Sequence, residues 1–162
     1  MRSASRVEIE SFDPLEVLRV LNKHAVEYVV VGGFAVASHG VVHATEDLDV
    51  VPARGLDNGA RLAAALVQLG AEGSAEGARP TAEALGRRAE FRFDTRFGAV
   101  HLVRATAGVP RVEDMEKELV SIGEVQFHRA SLKAIKEMKR SAGRARDLVD
   151  LAELDELEGD PS

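Results

Sequence analysis

Two neighbouring stretches decide the fold, residues 30–35 (VVGGFA) and residues 43–51 (HATEDLDVV). In the first, a run of valines enters the double glycine Gly32-Gly33, which is typical of a buried strand that turns sharply into a helix. In the second, Asp47 and Asp49 alternate with apolar residues, as in a strand with one buried face. Together the two stretches predict a strand, a tight turn, a short helix and a second strand.

The two aspartates are predicted to project side by side. Residues i and i+2 of a strand share a face, so Asp47 and Asp49 point the same way and Leu48 turns into the core. Adjacent carboxylates repel each other unless a cation lies between them. Hard oxygen ligands on a rigid element suit Mg²⁺, which one or two carboxylates and substrate phosphates usually hold. The glycine turn adds backbone that phosphate approaches closely, at the start of a helix.

Composition excludes several classes of protein. The chain has 162 residues, of which 45% are hydrophobic and 30% charged, as expected for one globular domain with a core. Its net charge of −6 argues against a basic nucleic-acid binder. The absence of cysteine excludes disulfides and thiolate metal sites. With neither a secretory signal nor an apolar run of about 20 residues, we expect a cytoplasmic protein with no membrane contact.

Periodicity and turn residues predict mixed α and β structure, an α/β (α+β) fold with a mixed central sheet flanked by helices. We expect a flexible N-terminal arm at 1–13, one domain at 14–157 and a polar tail at 158–162. The predicted helices cover 14–24, 34–39, 56–69, 82–88, 132–140 and 147–157, with Ser131 capping the fifth. The predicted strands cover 27–31 and 48–51, with hairpins of 90–95 with 99–104 and 119–122 with 124–128, and a loop at 73–80.

The order strand, Gly-Gly, helix and Asp-x-Asp resembles the nucleotidyltransferase superfamily, whose fold is shared with DNA polymerase β. That family has a hydrophobic residue, Gly and Gly or Ser, then a gap, then Asp-hydrophobic-Asp/Glu-hydrophobic. Here thirteen residues separate Gly33 from Asp47. The run 139–151 (KRSAGRARDLVDL) is similar to the closing segment of small bacterial stand-alone nucleotidyltransferases, including toxins of toxin–antitoxin pairs. The resemblance implies the nucleotidyltransferase fold with C-terminal helices.

The resemblance also implies roles for the two motifs. Asp47 and Asp49 would be catalytic residues that bind Mg²⁺ (or Mn²⁺) bridging the triphosphate of a nucleoside triphosphate. Gly32 and Gly33 would hold the β- and γ-phosphate oxygens through backbone amides.

Basic residues near the C-terminus complete the expected nucleotide site. Lys139 is the first candidate for a helix-borne cation near the triphosphate, with Arg144 and Arg146 as further candidates. An alternative stays open, in which these side chains form a solvated helix face or pair with Asp147 and Glu153.

Two positions depart from the family pattern. The family commonly has a third carboxylate on a later strand, and His101 stands in its place within residues 98–103 (GAVHLV). An imidazole accepts a proton, which keeps His101 a catalytic candidate, but it is a poorer Mg²⁺ ligand than oxygen. Asp94 is a candidate substitute carboxylate, and Glu90 shares its face further from the turn. The second departure is His43, where the family often has arginine.

Three hypotheses follow. The first is metal-dependent transfer of a nucleoside monophosphate from a nucleoside triphosphate to an acceptor hydroxyl on tRNA, a small molecule or a protein. The second keeps the fold without catalysis, as a nucleotide- or protein-binding partner in a toxin–antitoxin or defence pair, with His101 as its motivation. The third is a structural α/β domain with a coincidental motif. A homodimer or a cognate antitoxin is a possible partner.

Overall fold

A seven-stranded mixed sheet forms the centre of the protein. The computed structural model describes residues 12–40, 45–73, 81–86, 90–103 and 108–159. The strands are β1 (Tyr28–Val31), β2 (Asp47–Pro52), β3 (Glu72–Gly73), β4 (Phe91–Thr95), β5 (Gly98–Leu102), β6 (Lys117–Ile122) and β7 (Val125–Ala130). The helices are α1 (Pro14–Lys23), α2 (Gly32–Ser38), α3 (Leu56–Gln68), α4 (Ala82–Gly86), α5 (Leu132–Ala142) and α6 (Ala145–Gly159), with a 3₁₀ turn at Val112–Asp114.

Strand β2 lies in the middle of the sheet. The strand order is β3-β4-β5-β2-β1-β7-β6, in which β2 runs antiparallel to β1 and parallel to β5. In this register Asp49 lies between Val31 on β1 and His101 on β5. The predicted mixed sheet flanked by helices is confirmed, and the pairing fixes which residues of other strands flank the two aspartates.

The core covers both faces of β1 and one face of the first half of β2. All four residues of β1 are buried, which is the pattern of a strand covered on both sides. On β2 the predicted alternation is confirmed, since Leu48 and Val50 are fully buried whereas Asp47 and Asp49 are partly exposed. The buried face therefore anchors β2 and leaves its two carboxylates at the surface of the sheet.

Local capping signals set three of the helix ends. Asp13 caps α1 by accepting a hydrogen bond from the Glu16 amide, and Ser131 caps α5 as predicted, accepting one from the Ala134 amide. Gly143 ends α5 in the left-handed conformation. None of the helices in the described part of the chain is long and apolar enough to cross a membrane.

Several predicted boundaries differ from the observed ones. Helix α2 begins at Gly32 rather than Phe34, so the double glycine belongs to the first turn of the helix. In the predicted loop, Glu72–Gly73 pairs with β4 as a short strand, and residues 74–80 lie outside the described residues. Helix α6 extends through Gly159, into the predicted tail, of which residues 160–162 are likewise not described. The turn between β4 and β5 has two residues rather than three, because Thr95 pairs with Gly98.

The start of the described chain is attached to the domain. Residues 1–11 of the predicted arm lie outside the described residues. Phe12 packs against the core, and the Asp13 amide donates to the Phe97 carbonyl over 2.9 Å. A Cβ on Gly98 would lie 2.6 Å from the Phe12 ring, so glycine at this position makes room for the contact.

One buried amide ties α3 to the ends of β1 and β2. Asn58 is 4% exposed and accepts a hydrogen bond from the Glu27 amide over 2.8 Å. Its Nδ2 donates to the carbonyls of Glu27 and Ala53. All three bonds are made to backbone, so the buried amide of Asn58 is itself satisfied while it joins the three segments.

Candidate functional site

A cleft of about 610 Å³ opens beside the polar face of β2. Its walls come from the junction of β1 and α2, from β2, β4 and β5, from the residue preceding β4, and from the region of α5 and α6. The charged and titratable groups that line it are Asp47, Asp49, Glu90, Arg92, His101, Lys139, Arg144, Arg146 and Asp147. The cleft therefore gathers the predicted site residues, including Gly32 but not Gly33, which lies in the first turn of α2 without lining it.

Asp49 lies directly against the glycine turn. Gly32 has a φ of +69°. This conformation is energetically unfavourable for any residue that has a side chain. A Cβ on Gly32 would lie 2.0 Å from Asp49 Oδ2, so no side chain fits here while Asp49 keeps its place. The sequence predicted a phosphate-approaching turn at this point. The structure adds that the turn also makes room for the carboxylate of the next strand.

His101 bridges Asp49 and Glu90. Its Nδ1 lies 3.1 Å from Asp49 Oδ1, and its Nε2 lies 3.5 Å from Glu90 Oε2. The hydrogen bond with Asp49, together with the negative charges of Asp49 and Glu90, outweighs burial and raises the pKa of His101. Glu90, rather than Asp94, is thus the carboxylate that the β4 side of the hairpin brings into the cleft.

Asp47 is held by an arginine that sequence reasoning missed. Arg92 donates from Nη1 to Asp47 Oδ2 over 2.8 Å and from Nη2 to Oδ1 over 3.1 Å, a bidentate pair. The hydrogen bonds to Asp47 raise the pKa of Arg92. The signal that locates Arg92 is the hairpin register, in which it lies opposite His101.

The basic residues from α5 and α6 pair with acidic residues of α6. Arg144 Nε lies 2.6 Å from Asp147 Oδ2, and Lys139 Nζ lies 2.9 Å from Asp150 Oδ2 and 3.8 Å from Asp147 Oδ1. The predicted pairing is thus observed with Asp147, and with Asp150 rather than Glu153, while Lys139 and Arg144 also line the cleft. Arg146 also lines it and makes no ion pair with the residues that the structure describes.

Asp147 organises this basic wall from a buried position. The residue is 2% exposed, and burial alone would raise its carboxyl pKa. Hydrogen bonds from the Arg144 side chain and amide, with the charges of Arg144 and Lys139, outweigh burial and lower the pKa. Asp147 therefore stays ionised and holds two cations at the cleft.

The donor set suits a divalent ion that substrate helps to hold. Within the described ranges, no group of three or more His, Cys, Asp or Glu side chains is placed to bind a metal by itself. Asp47 and Asp49 supply two carboxylates on one strand face, and Mg²⁺ sites commonly add phosphate oxygens and water to such a pair. Because Gly32 has no Cβ, the Asp49 carboxylate packs directly against the backbone of the turn, in space that any side chain would fill. The residues fit Mg²⁺, although Arg92 and His101 hold both carboxylates in this structure.

We expect Gly32→Ala to destabilise the protein far more than Gly123→Ala. Both glycines have positive φ, +69° and +59°, so both substitutions carry a similar backbone cost of about 1–2 kcal/mol. Only at Gly32 does the new Cβ collide, because Gly123 has nothing within 4 Å. Urea unfolding should show an additional loss of about 2 kcal/mol or more for Gly32→Ala. If the two variants lose the same free energy of unfolding, the Asp49 side chain moves aside without cost, and the expectation is wrong.

The His101 contacts make stability depend on pH. Because the folded-state pKa is raised, the imidazolium stabilises the fold fully below its unfolded pKa of about 6.5, and this contribution disappears as pH rises through the folded pKa. The free energy of unfolding of wild type relative to His101→Gln should therefore be higher near pH 5.5 than near pH 9, by on the order of 1 kcal/mol.

Urea titrations in EDTA at both pH values measure this difference. His128→Gln, which replaces an exposed histidine outside the cleft, is the matched control. A difference between wild type and His101→Gln that grows with rising pH would contradict the assigned contacts.

Solved nucleotidyltransferase structures share this architecture. A Thermotoga maritima protein assigned as a nucleotidyltransferase matches with a TM-score of 0.58 over 93% of this chain and 97% of its own, at 14% identity. ANT(2'')-Ia in complex with adenylyl-2''-tobramycin matches with a TM-score of 0.55 over 85% and 82%, at 14% identity. An antigenic nucleotidyltransferase-like protein from Paracoccidioides brasiliensis matches with a TM-score of 0.56 over 88% and 73%, at 15% identity.

No protein-family model matches the sequence, and no curated protein sequence matches it. At identities this low the structural matches establish the architecture alone. In this chain, the order of elements around Gly32, Asp47 and Asp49 is the one that the sequence motifs predicted. The chain therefore has the nucleotidyltransferase fold.

Proposed function

We propose that the protein transfers a nucleoside monophosphate from a nucleoside triphosphate to an acceptor hydroxyl, with Mg²⁺ or Mn²⁺ at Asp47 and Asp49. The observation that carries the proposal is the composition of the cleft. Its lining includes two carboxylates beside a glycine turn and also cations from α5, from α6 and from the turn between them. For a metal-bound polyphosphate, the carboxylates would complement the metal ion and the cations would complement the phosphates.

The basic wall supports binding of the triphosphate. Lys139, Arg144 and Arg146 all line the cleft, and phosphate oxygens accept hydrogen bonds from ammonium and guanidinium groups. Asp147 keeps two of these groups in place from a buried site. The Gly32 and Gly33 amides would hold further phosphate oxygens at the turn.

In the proposed reaction the acceptor oxygen attacks the α-phosphorus of the nucleotide. The bond between the α-phosphorus and the oxygen that bridges to the β-phosphorus breaks, and pyrophosphate leaves. A divalent ion, when bound, stabilises negative charge on the transferring group. The hydroxyl proton passes to His101, and Nε2 is the nitrogen for this role because its contact with Glu90 is the looser one, at 3.5 Å. Asp49 holds the other nitrogen and orients the ring.

The acceptor is the least constrained part of the proposal. The matched ANT(2'')-Ia structure contains an adenylylated aminoglycoside, which is a small molecule. The net charge of −6 disfavours tRNA handled by this chain alone. We therefore propose a hydroxyl on a small molecule or a protein.

The second candidate is a binding protein with this fold and no transferase activity, such as one member of a toxin–antitoxin or defence pair. The observation that favours it is the state of the two carboxylates. Arg92 holds Asp47, and His101, which replaces the third carboxylate, holds Asp49. A site neutralised in this way would bind nucleotide with less dependence on metal.

Nucleotide binding measured by calorimetry tests the first candidate. ATP, GTP, CTP and UTP are titrated with and without Mg²⁺ into wild type and Asp47→Asn/Asp49→Asn. We expect Mg²⁺-dependent binding of at least one nucleotide and a loss of affinity of about tenfold or more in the variant, because its amides carry no charge for the metal.

Asp57→Asn is the matched control, since Asp57 is an exposed carboxylate on α3 outside the cleft. It should bind nucleotide as wild type does. If none of the four nucleotides binds, the result would contradict a nucleotide site under either candidate function. Nucleotide binding that does not depend on Mg²⁺ would favour the second candidate.

His101→Asp separates the two candidates by activity. If the protein is a decayed enzyme, restoring a carboxylate next to Asp49 should raise nucleotidyl transfer by about tenfold or more, measured as pyrophosphate release with a panel of acceptors. If His101 is the working base, the same substitution should lower the rate. His128→Asp, at an exposed position outside the cleft, controls for added negative charge.

A further inference from the structure

The guanidinium of Arg92 occupies both carboxylate oxygens of Asp47. Nη1 lies 2.8 Å from Oδ2 and Nη2 lies 3.1 Å from Oδ1. A divalent ion that approaches Asp47 from the cleft therefore meets the positive charge of Arg92, which is hydrogen-bonded to both oxygens that could bind the ion. Because like charges repel at such short range, Arg92 competes with the metal for Asp47.

Asp49 offers the metal a different environment. Its partner His101 contacts Oδ1 alone, and Oδ2 packs against the backbone of Gly32. Asp49 thus has a basic side chain on one oxygen, whereas Asp47 has the Arg92 guanidinium on both. A metal ion can bind both aspartates only after the Arg92 guanidinium has moved away from Asp47.

The Arg92 pair is suited to opening. Both side chains are partly exposed, Arg92 by 46% and Asp47 by 33%, and ion pairs this exposed are weak. Arg92 itself lines the cleft together with Lys139 and Arg144. A triphosphate bound in the cleft offers the guanidinium fork an anion of matching geometry and higher charge than one carboxylate.

We infer that Arg92 couples metal binding to nucleotide binding, by closing Asp47 to divalent ions until nucleotide phosphates draw the guanidinium away. Arg92 is a positioning residue in this account, and the inference rests on the proposed nucleotide site. It makes the free protein a poor metal binder and the nucleotide complex a good one, so metal and nucleotide bind with positive cooperativity.

Mn²⁺ affinity, measured by electron paramagnetic resonance of the free ion, tests the inference without any catalytic readout. In the absence of nucleotide, Arg92→Gln should bind Mn²⁺ about tenfold or more tightly than wild type, because the competing charge is gone. Adding the non-hydrolysable analogue α,β-methylene-ATP should raise the Mn²⁺ affinity of wild type strongly and that of Arg92→Gln much less.

Three variants make the result specific. Arg96→Gln removes an arginine from the turn of the same hairpin, which bonds to the Gln68 carbonyl, and should bind Mn²⁺ as wild type does. Asp47→Asn/Arg92→Gln should lose the gained affinity. Arg92→Lys keeps a charge without the fork and should fall between wild type and Arg92→Gln, which also provides a measurement if the glutamine variant does not fold.

Equal Mn²⁺ affinities of wild type and Arg92→Gln without nucleotide would overturn the inference. So would an unchanged Mn²⁺ affinity of wild type when the analogue is shown by equilibrium dialysis to bind, a result that leaves the proposed nucleotide site intact. Failure of the analogue to bind at all marks failure of the proposed function instead, and the coupling falls with it.

Discussion

The contact between Gly32 and Asp49 is the constraint on which the site depends. Strand β2 pairs with β1 so that Asp49 lies beside Val31, and the chain leaves β1 directly into Gly32. The carboxylate and the turn therefore occupy the same space, and only a residue without a Cβ permits this. The positive φ of Gly32 starts α2 in the direction that covers the sheet. One residue type thus satisfies the turn, the helix start and the position of the carboxylate.

Charge balance explains the remaining arrangement of the cleft. Four carboxylates line it, and burying them together without cations would be costly. Arg92 balances Asp47, His101 balances Asp49 and Glu90, and Arg144 with Lys139 balances Asp147. Each carboxylate that lines the cleft therefore has a basic partner within the described part of the chain.

Local sequence signals predicted much of the fold and part of the site. The glycine turn and the alternation around Leu48 are properties of short segments, and they suffice to single out Gly32, Asp47 and Asp49. Likewise, the Ser131 cap depends on residues three apart in sequence.

What the sequence did not predict depends on pairing between distant segments. A three-residue turn between β4 and β5 shifts the pairing by one residue, and a shift of one moves a strand's side chains to the opposite face. The observed two-residue turn places Arg92 opposite His101, so the partner of Asp47 depended on this detail. Similarly, the packing of α5 against α6 brings Lys139 to Asp147, and the short strand at Glu72–Gly73 forms only because β4 is there to pair with it.

The attachment of Phe12 and Asp13 to the β4–β5 turn gives the hairpin a fixed end. Phe12 packs against Gly98, and the Asp13 amide bonds to Phe97, at the tip farthest along the hairpin from Glu90. Arg92 lies three residues before Thr95, about 10 Å from the tip at the usual rise of a strand. Strand β5 of the hairpin also pairs with β2, and β4 pairs with β3. The chain that enters α1 therefore belongs to the set of contacts that fix the backbone of Arg92 relative to Asp47.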